Sequence, residues 1–248
     1  MLDTLSWANP WAIALTLNFI LLSIAWFLPK KLLTPFGYLN ALVLGVLVWG
    51  TLGWRGYLIV MLFFLGGSAL TFVGIKQKEA EGIAEERSGM RGAGNVWGSA
   101  LTATICAIAT LFCPTPYKYL FVLGYVASFC TKLSDTTASE VGKAYGKTTY
   151  LITNLKSVPR GTEGAVSLEG TLAGVLASVI LAVIAYIIGL INPIGIIWCV
   201  IAAFIATTIE SLIGATLESR FTWLTNDLVN LINTVIGAKV AILLAWLF

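Results

Sequence analysis

Asp135, Glu140, Lys143 and Lys147 occupy the run SDTTASEVGKAYGK, directly after a stretch of chain that reads as lipid-soluble. If the run is helical, Thr136, Glu140, Lys143 and Lys147 recur at i, i+4, i+7 and i+11 on one face, with Asp135 at its entrance. Lys156, Pro159, Arg160, Gly161 and Gly164 follow as a basic turn without bulky side chains. Carboxylates are hard oxygen ligands for Mg²⁺, and Lys, Arg and glycine-exposed amides take phosphate oxygens, so the inventory suits a metal-bound polyphosphate. The alternative is that these acids and bases pair with one another at the membrane surface, where an exposed pair contributes about 0 to 1 kcal/mol. That alternative leaves Gly142, Gly146, Gly161 and Gly164 unexplained, because glycine costs stability unless a backbone must approach something closely.

Two more collections carry chemistry. In RSGMRGAGNVWGSA, small residues flank Arg91 at a helix entry, and Arg91, Gly92, Gly94 and Asn95 read as an anion site of open backbone N–H groups. In IESLIGATLESRFTWLTNDLVNLINTVIGAK, Glu210 falls late in an apolar span. Further on, Asn226, Asn230, Asn233 and Gly237 recur along one helix face beside Asp227. A polar stripe at membrane depth faces the bundle interior or a water-filled cavity. Asp227 with Asn226 and Asn230 therefore reads as a second metal or phosphate site. Asn233 reads equally well as a helix-to-helix hydrogen bonder.

The sequence contains no histidine, which excludes Ser-His-Asp and Cys-His catalysis and histidine-ligated metals. Cys106, Cys113, Cys130 and Cys199 lie in or beside apolar spans, without CxxC or metal-ligand spacing, and read as packing residues.

These residues need a membrane scaffold to position them. The chain is 58% hydrophobic and 11% charged, with a mean hydropathy of +0.90, against about 25% charged residues in an ordinary soluble domain. Apolar stretches run over 11–27, 36–52, 57–75, 97–112, 119–129, 171–191, 194–213 and 229–248. The longer ones approach the roughly 20 residues needed for a membrane helix, and 119–129 must borrow from its flanks. The runs are continuously apolar rather than alternating, which favours helices over barrel strands. The expected fold is an all-α membrane protein, a polytopic bundle of about eight transmembrane helices with cytoplasmic catalytic loops, forming a single domain over residues 1–248.

Cations concentrate in alternate loops, at Lys30, Lys31, Lys76, Lys78, Arg87, Arg91, Lys132, Lys143, Lys147, Lys156, Arg160 and Arg220, so the positive-inside rule puts these loops in the cytoplasm and both termini outside. The charged part of 76–96 reads as a solvated extension of the third span, and 130–170 as a long cytoplasmic segment. The N-terminal MLDTLSWANPW has an acid and no basic region, so the first span reads as a retained anchor. A net charge of +3 follows from topology, and the lack of interleaved basic and aromatic residues argues against a nucleic-acid partner.

The segments KLSDTTASEVGKAYGKTTYLITNLKSVPRGTEGAVSLEGTLAG, RGAGNVWGSA and ESLIGATLESRFTWLTNDLVNLINTVIGA closely resemble the integral-membrane phytyl-phosphate kinases of photosynthetic organisms and their prenyl-phosphate kinase-like relatives. The likeness runs from about Phe36 to the C-terminus, and SDT…GKAYGK…PRGTEGA resembles, more distantly, dolichol kinases and CDP-diacylglycerol synthases. Ser99 stands where many broader relatives carry asparagine. The resemblance implies transfer of a terminal phosphoryl group from a nucleoside triphosphate, CTP favoured, to phytyl phosphate, giving the phytyl diphosphate used for tocopherol and phylloquinone side chains. It also implies a multi-pass protein of a bacterial, cyanobacterial plasma or thylakoid membrane, with its active site facing the cytoplasm.

The matched motif carries over Asp135, Glu140, Lys143, Lys147, Lys156, Arg160, Gly161, Thr162, Glu163 and Gly164, followed by Arg91, Asn95, Glu210, Asn226, Asp227 and Asn230. The expected roles are Mg²⁺ binding by Asp135, Asp227 and Glu140; triphosphate binding by Lys143, Lys147, Lys156 and Arg160; and orientation of the lipid phosphate by Arg91 with Asn95. A phosphomonoester has a second pKa near 6 and is already an anionic nucleophile at neutral pH, so this chemistry needs no histidine base. What it needs is charge neutralisation and positioning. The rival readings are a cytidylyltransferase acting on a lipid phosphate, a transporter of anionic lipids, and a structural scaffold.

Overall fold

A computed structural model of the chain describes residues 9–85, 89–218 and 220–248; Arg87, counted above among the loop cations, lies outside them. The helices are α1 (Pro10–Phe27), α2 (Pro35–Thr71), α3 (Ile75–Ala80), α4 (Ala93–Ala109), α5 (Tyr117–Tyr145), α6 (Leu168–Ile187), α7 (Pro193–Ile213) and α8 (Asn226–Leu247). Several starts are legible in the chain. Asn9, Thr34, Ser167, Asn192 and Thr225 cap their helices with side-chain oxygens, and proline opens α1, α2 and α7.

The all-α architecture is as expected, and five helices are long and apolar enough to cross a membrane: α1, α2, α6, α7 with its π-helical extension Gly214–Glu218, and α8. At 37 residues α2 is nearly twice a span, and Gly53 (φ 63°, ψ −159°) breaks it. Gly37 on its first arm and Gly67 on its second both lie against Arg91, so the arms fold back on each other at that left-handed glycine. Counting the two arms of α2 separately and adding α4 and α5, the described residues hold eight long helical segments; the five helices named above are those long and apolar enough to cross a membrane.

Two readings are corrected. The segment from Cys130 does not begin a separate cytoplasmic segment: the helix expected from Thr136 is the end of α5, which runs unbroken from Tyr117 to Tyr145 and buries Lys132, Asp135 and Glu140, while Lys147 lies past its end. The charged run after α2 is exposed at Lys76, Gln77, Glu79 and Glu81, but its helix is a separate short one rather than an extension of α2. Gly74 (φ 63°) ends that direction, and Lys78 of α3 is buried. Small residues allow α5 its close contacts: Gly170 and Gly174 of α6 meet Ala138 and Ser134, and Gly237 of α8 meets Thr131. The loop after α5 forms a minimal ladder, β1 (Tyr150–Leu151) with β2 (Ala165–Val166), antiparallel.

Candidate active site

The inner half of α5 holds the first cluster. Lys132 Nζ lies 2.6 Å from Asp135 Oδ2 and 2.5 Å from Asn230 Oδ1 of α8, with Lys132 and Asp135 only 8% and 7% exposed. Glu210 of α7 comes within hydrogen-bonding reach of Asp135. Three helices thus deliver two carboxyls, an ammonium and an amide to one buried point. Removing such charges from water costs several kcal/mol per ion, and mutual pairing offsets it.

Around this point polar atoms lack partners. Asn233 is fully buried with neither amide atom hydrogen-bonded, and Ser68, Ser99, Ser128 and Thr131 have orphaned hydroxyls. Each such group costs about 1–3 kcal/mol, so the α4–α5–α8 interior carries hydrogen-bonding capacity that folding alone does not use. The expectation that Asn233 bonds a neighbouring helix is not met among the described residues.

Arg91 precedes α4. Its backbone is fixed to the segment before α2, donating to Leu32 O at 2.9 Å and accepting from Thr34 N at 3.1 Å. The guanidinium stacks over Phe63 and Phe64, 5.0 and 5.5 Å from their ring centroids, beside Gly67 and close to Thr136. Part of the residue meets solvent, yet this enclosure of the charged group lowers its pKa to about 10, so it stays cationic at neutral pH. Asp227, in the first turn of α8, packs its carboxylate against Gly94 and its backbone against Gly98 of α4. Gly92 caps α4 without a side-chain bond, which leaves the start of that helix facing Asp227. Asn95 is half-buried nearby on α4 and Asn226 is exposed.

The second cluster is the loop. A cleft of about 550 Å³ is lined by Gly146, Lys147, Thr149, Ser157, Val158 and Arg160 among others. Gly161 (φ 81°) turns beneath Ile83, and Gly164 (φ 73°) against Ser211 O and Ala215 at the end of α7; these left-handed positions explain both glycines. Thr162 Oγ1 donates to Pro159 O at 2.8 Å, Lys156 and Glu163 are exposed, and Glu163 faces Glu218. Ion pairs join this loop and α5 to the segment after α2: Lys78 to Glu140, both buried, Glu81 to Arg160 at 2.6 Å, and Glu85 to Lys143 at 3.4 Å.

The expected residues therefore form two groups along α5. Lys132 bridges Asp135 and Asn230, Glu210 approaches Asp135, Arg91 lies near Thr136, and Asp227 stands one turn before Asn230 on α8. Lys143, Lys147 and Arg160 gather farther out: at 1.5 Å per residue Lys143 stands about 12 Å along α5 from Asp135, and Lys147 lies beyond the helix end. Glu140 is engaged by Lys78, so it does not join Asp135 as a carboxylate pair. Among the described residues no three acids or thiols form a metal cage. Mg²⁺ usually uses one or two carboxylates, with water and substrate phosphates completing its shell. Asp135 with Glu210, flanked by the Asn230 amide, fits that donor set.

Lys132, Lys78, Glu81 and Glu85 were missed as site residues. The signal available for Lys132 was its position four residues from Thr136, inside what proves to be continuous helix.

A family profile described as "Integral membrane protein DUF92" matches residues 18–238. The "Uncharacterized membrane protein sll0875" of Synechocystis sp. is 63% identical over 237 residues, covering 96% of this chain and 92% of that protein. "Protein VTE6, chloroplastic" of Arabidopsis thaliana is 47% identical over 216 residues, 86% of this chain and 65% of the plant protein. The "Uncharacterized membrane protein MJ0933" of Methanocaldococcus jannaschii is 29% identical over 209 residues, covering 84% of each. No solved structure matches the chain.

Proposed function

The chain belongs to the DUF92 family of integral membrane proteins, and from that premise we propose that it is a phytyl-phosphate kinase, transferring the terminal phosphoryl group of a nucleoside triphosphate, CTP favoured, to phytyl phosphate. One observation carries the reading: Lys132, Asp135, Asn230 and Glu210 converge at a buried point of the helix bundle, on the helix that leads into the basic cleft. A lipid phosphate and a water-soluble polyphosphate require that pairing of a polar site within the bundle with an aqueous cationic one.

In this reading the nucleotide lies lengthwise along α5. Lys147, Lys156 and Arg160, with the turns at Gly161, Thr162, Glu163 and Gly164, hold its outer part, and Lys143 takes phosphate oxygens nearer the membrane. Arg91, cationic throughout the physiological range, neutralises the lipid phosphate, which Asn95 orients; Asn226 flanks the α8 entry. Asp135 and Glu210 are the carboxylates that would hold Mg²⁺, which when bound would supply charge neutralisation on the phosphate chain, while Asp227 would serve a second metal or phosphate position at the start of α8. Glu140 acts through Lys78 by fixing α3 rather than as a metal ligand. The acceptor phosphate is already a nucleophile, so the residues' task is to bring two anions together and hold them in line. The excess of cations in these loops supports a cytoplasmic orientation for this face.

The test is product identity. Detergent-purified protein is incubated with Mg²⁺, phytyl, geranylgeranyl or farnesyl phosphate and each nucleoside triphosphate, and both products are weighed by mass spectrometry. A nucleoside diphosphate with a prenyl diphosphate is expected. Release of pyrophosphate with a nucleotide-linked lipid would overturn the kinase in favour of a cytidylyltransferase.

A further inference from the structure

Ile75 to Glu85 is tied across the aqueous face by ion pairs of two kinds. Lys78 and Glu140 are 1% and 2% exposed, and Lys78 also donates to Thr71 O at 2.8 Å. Breaking a buried pair leaves an uncompensated charge inside, so this root stays closed. Glu81–Arg160 and Glu85–Lys143 differ. Their side chains retain 23–41% exposure, and pairs of that kind contribute little and exchange readily with other ions. Between them Ile83 covers the Gly161 turn. An acidic strap, fixed at one end and exchangeable along its length, occupies two cations that line the approach to the cleft.

Resting on the kinase reading above, we propose that Glu81 and Glu85 are internal counter-anions of the polyphosphate site. The donor's phosphate chain displaces them from Arg160 and Lys143 as it enters, and they retake those cations when the shorter diphosphate leaves. A tethered carboxylate competes at a high effective concentration. A triphosphate carries enough charge, and enough oxygens for a forked arginine contact, to win that competition. A diphosphate that has lost its terminal group has less to hold it. The strap thus sets a lower limit on the charge of anions that stay bound, and it drives product release.

The Glu81→Gln/Glu85→Gln variant of the full chain in detergent tests this, with CTP, CDP and sodium tripolyphosphate as probes. Affinity for CDP and tripolyphosphate is expected to rise roughly 3- to 10-fold, as loss of two weak competing pairs predicts, and product inhibition by CDP to strengthen by a similar factor. In the wild-type protein, hydrogen exchange over 79–85 is expected to accelerate when tripolyphosphate saturates the site. That measurement stands even where the double variant folds poorly. Unaltered affinities in the variant, or unaltered exchange in a wild-type protein that binds tripolyphosphate, would overturn the strap and leave the kinase reading intact. A wild-type protein that binds neither CTP nor tripolyphosphate would overturn the kinase reading itself.

Discussion

Lys132 is the buried cation beside the Asp135 and Glu210 carboxyls, and Lys132→Met examines their dependence on it directly. The substitution keeps the length and apolar stem of the side chain while deleting the charge. Asp135 then loses its 2.6 Å partner and is left within reach of a second carboxyl, Glu210, at 7% exposure. Removing one partner of a buried pair costs about 3–5 kcal/mol, whereas replacing both by apolar residues is close to neutral. Lys132→Met and Asp135→Leu are each expected to lower unfolding free energy in mixed micelles by about 3 kcal/mol, with part of the Asp135→Leu penalty moderated by the remaining Asn230 contact. The double variant should fall short of the summed losses by about 2 kcal/mol or more, the coupling a double-mutant cycle reads for groups in one network. Turnover in all three should drop at least about 100-fold, the scale for losing a preorganised electrostatic group. Additive losses in the cycle, or a Lys132→Met protein as stable as wild type, would refute the argument that the pair compensates buried charge.

Three further outcomes follow from the same geometry. Asn233→Leu removes an amide that makes no hydrogen bond; thermal unfolding should show stability unchanged or raised by about 1 kcal/mol, while the KM for the prenyl phosphate rises. Gly164→Ala places a methyl at φ 73° against Ser211 O and Ala215, and should cost about 1–3 kcal/mol of local stability, read as faster hydrogen exchange over the loop. Asp135→Asn assayed at saturating Mg²⁺ should remain at least about 100-fold impaired; unchanged turnover would remove Asp135 from the metal site.

Much of the scaffold could be read from hydropathy, because a membrane helix advertises itself by length and apolarity. The break at Gly53 was legible as the polar gap between two spans, although the turn is tighter than that gap suggested. The helix over Thr136 to Lys143 was legible from spacing, but its continuity with the apolar span before it was not, because Lys132, Asp135 and Glu140 look out of place in a buried helix when each is considered alone. They remain helical and buried because their partners come from elsewhere, Asn230 of α8, Glu210 of α7 and Lys78 of α3. Periodicity identifies which face a residue shares; it says nothing of which distant helix supplies the opposite charge. For the same reason the i, i+4, i+7 pattern correctly grouped Thr136, Glu140 and Lys143, but not the acids Glu81 and Glu85 that meet the basic positions.

The loop between α5 and α6 does not hold its own shape. Its Gly161 turn leans on Ile83, and its Gly164 turn rests on the end of α7, one turn beyond Glu210. A synthetic peptide spanning 146–167 would lose both supports, leaving a ladder of two residues per strand and a few local turns to organise it. Screens for inhibitors of the basic cleft consequently require the whole chain, reconstituted in nanodiscs or comparable bilayers, since the shape a small molecule must recognise is borrowed from helices far away in the chain.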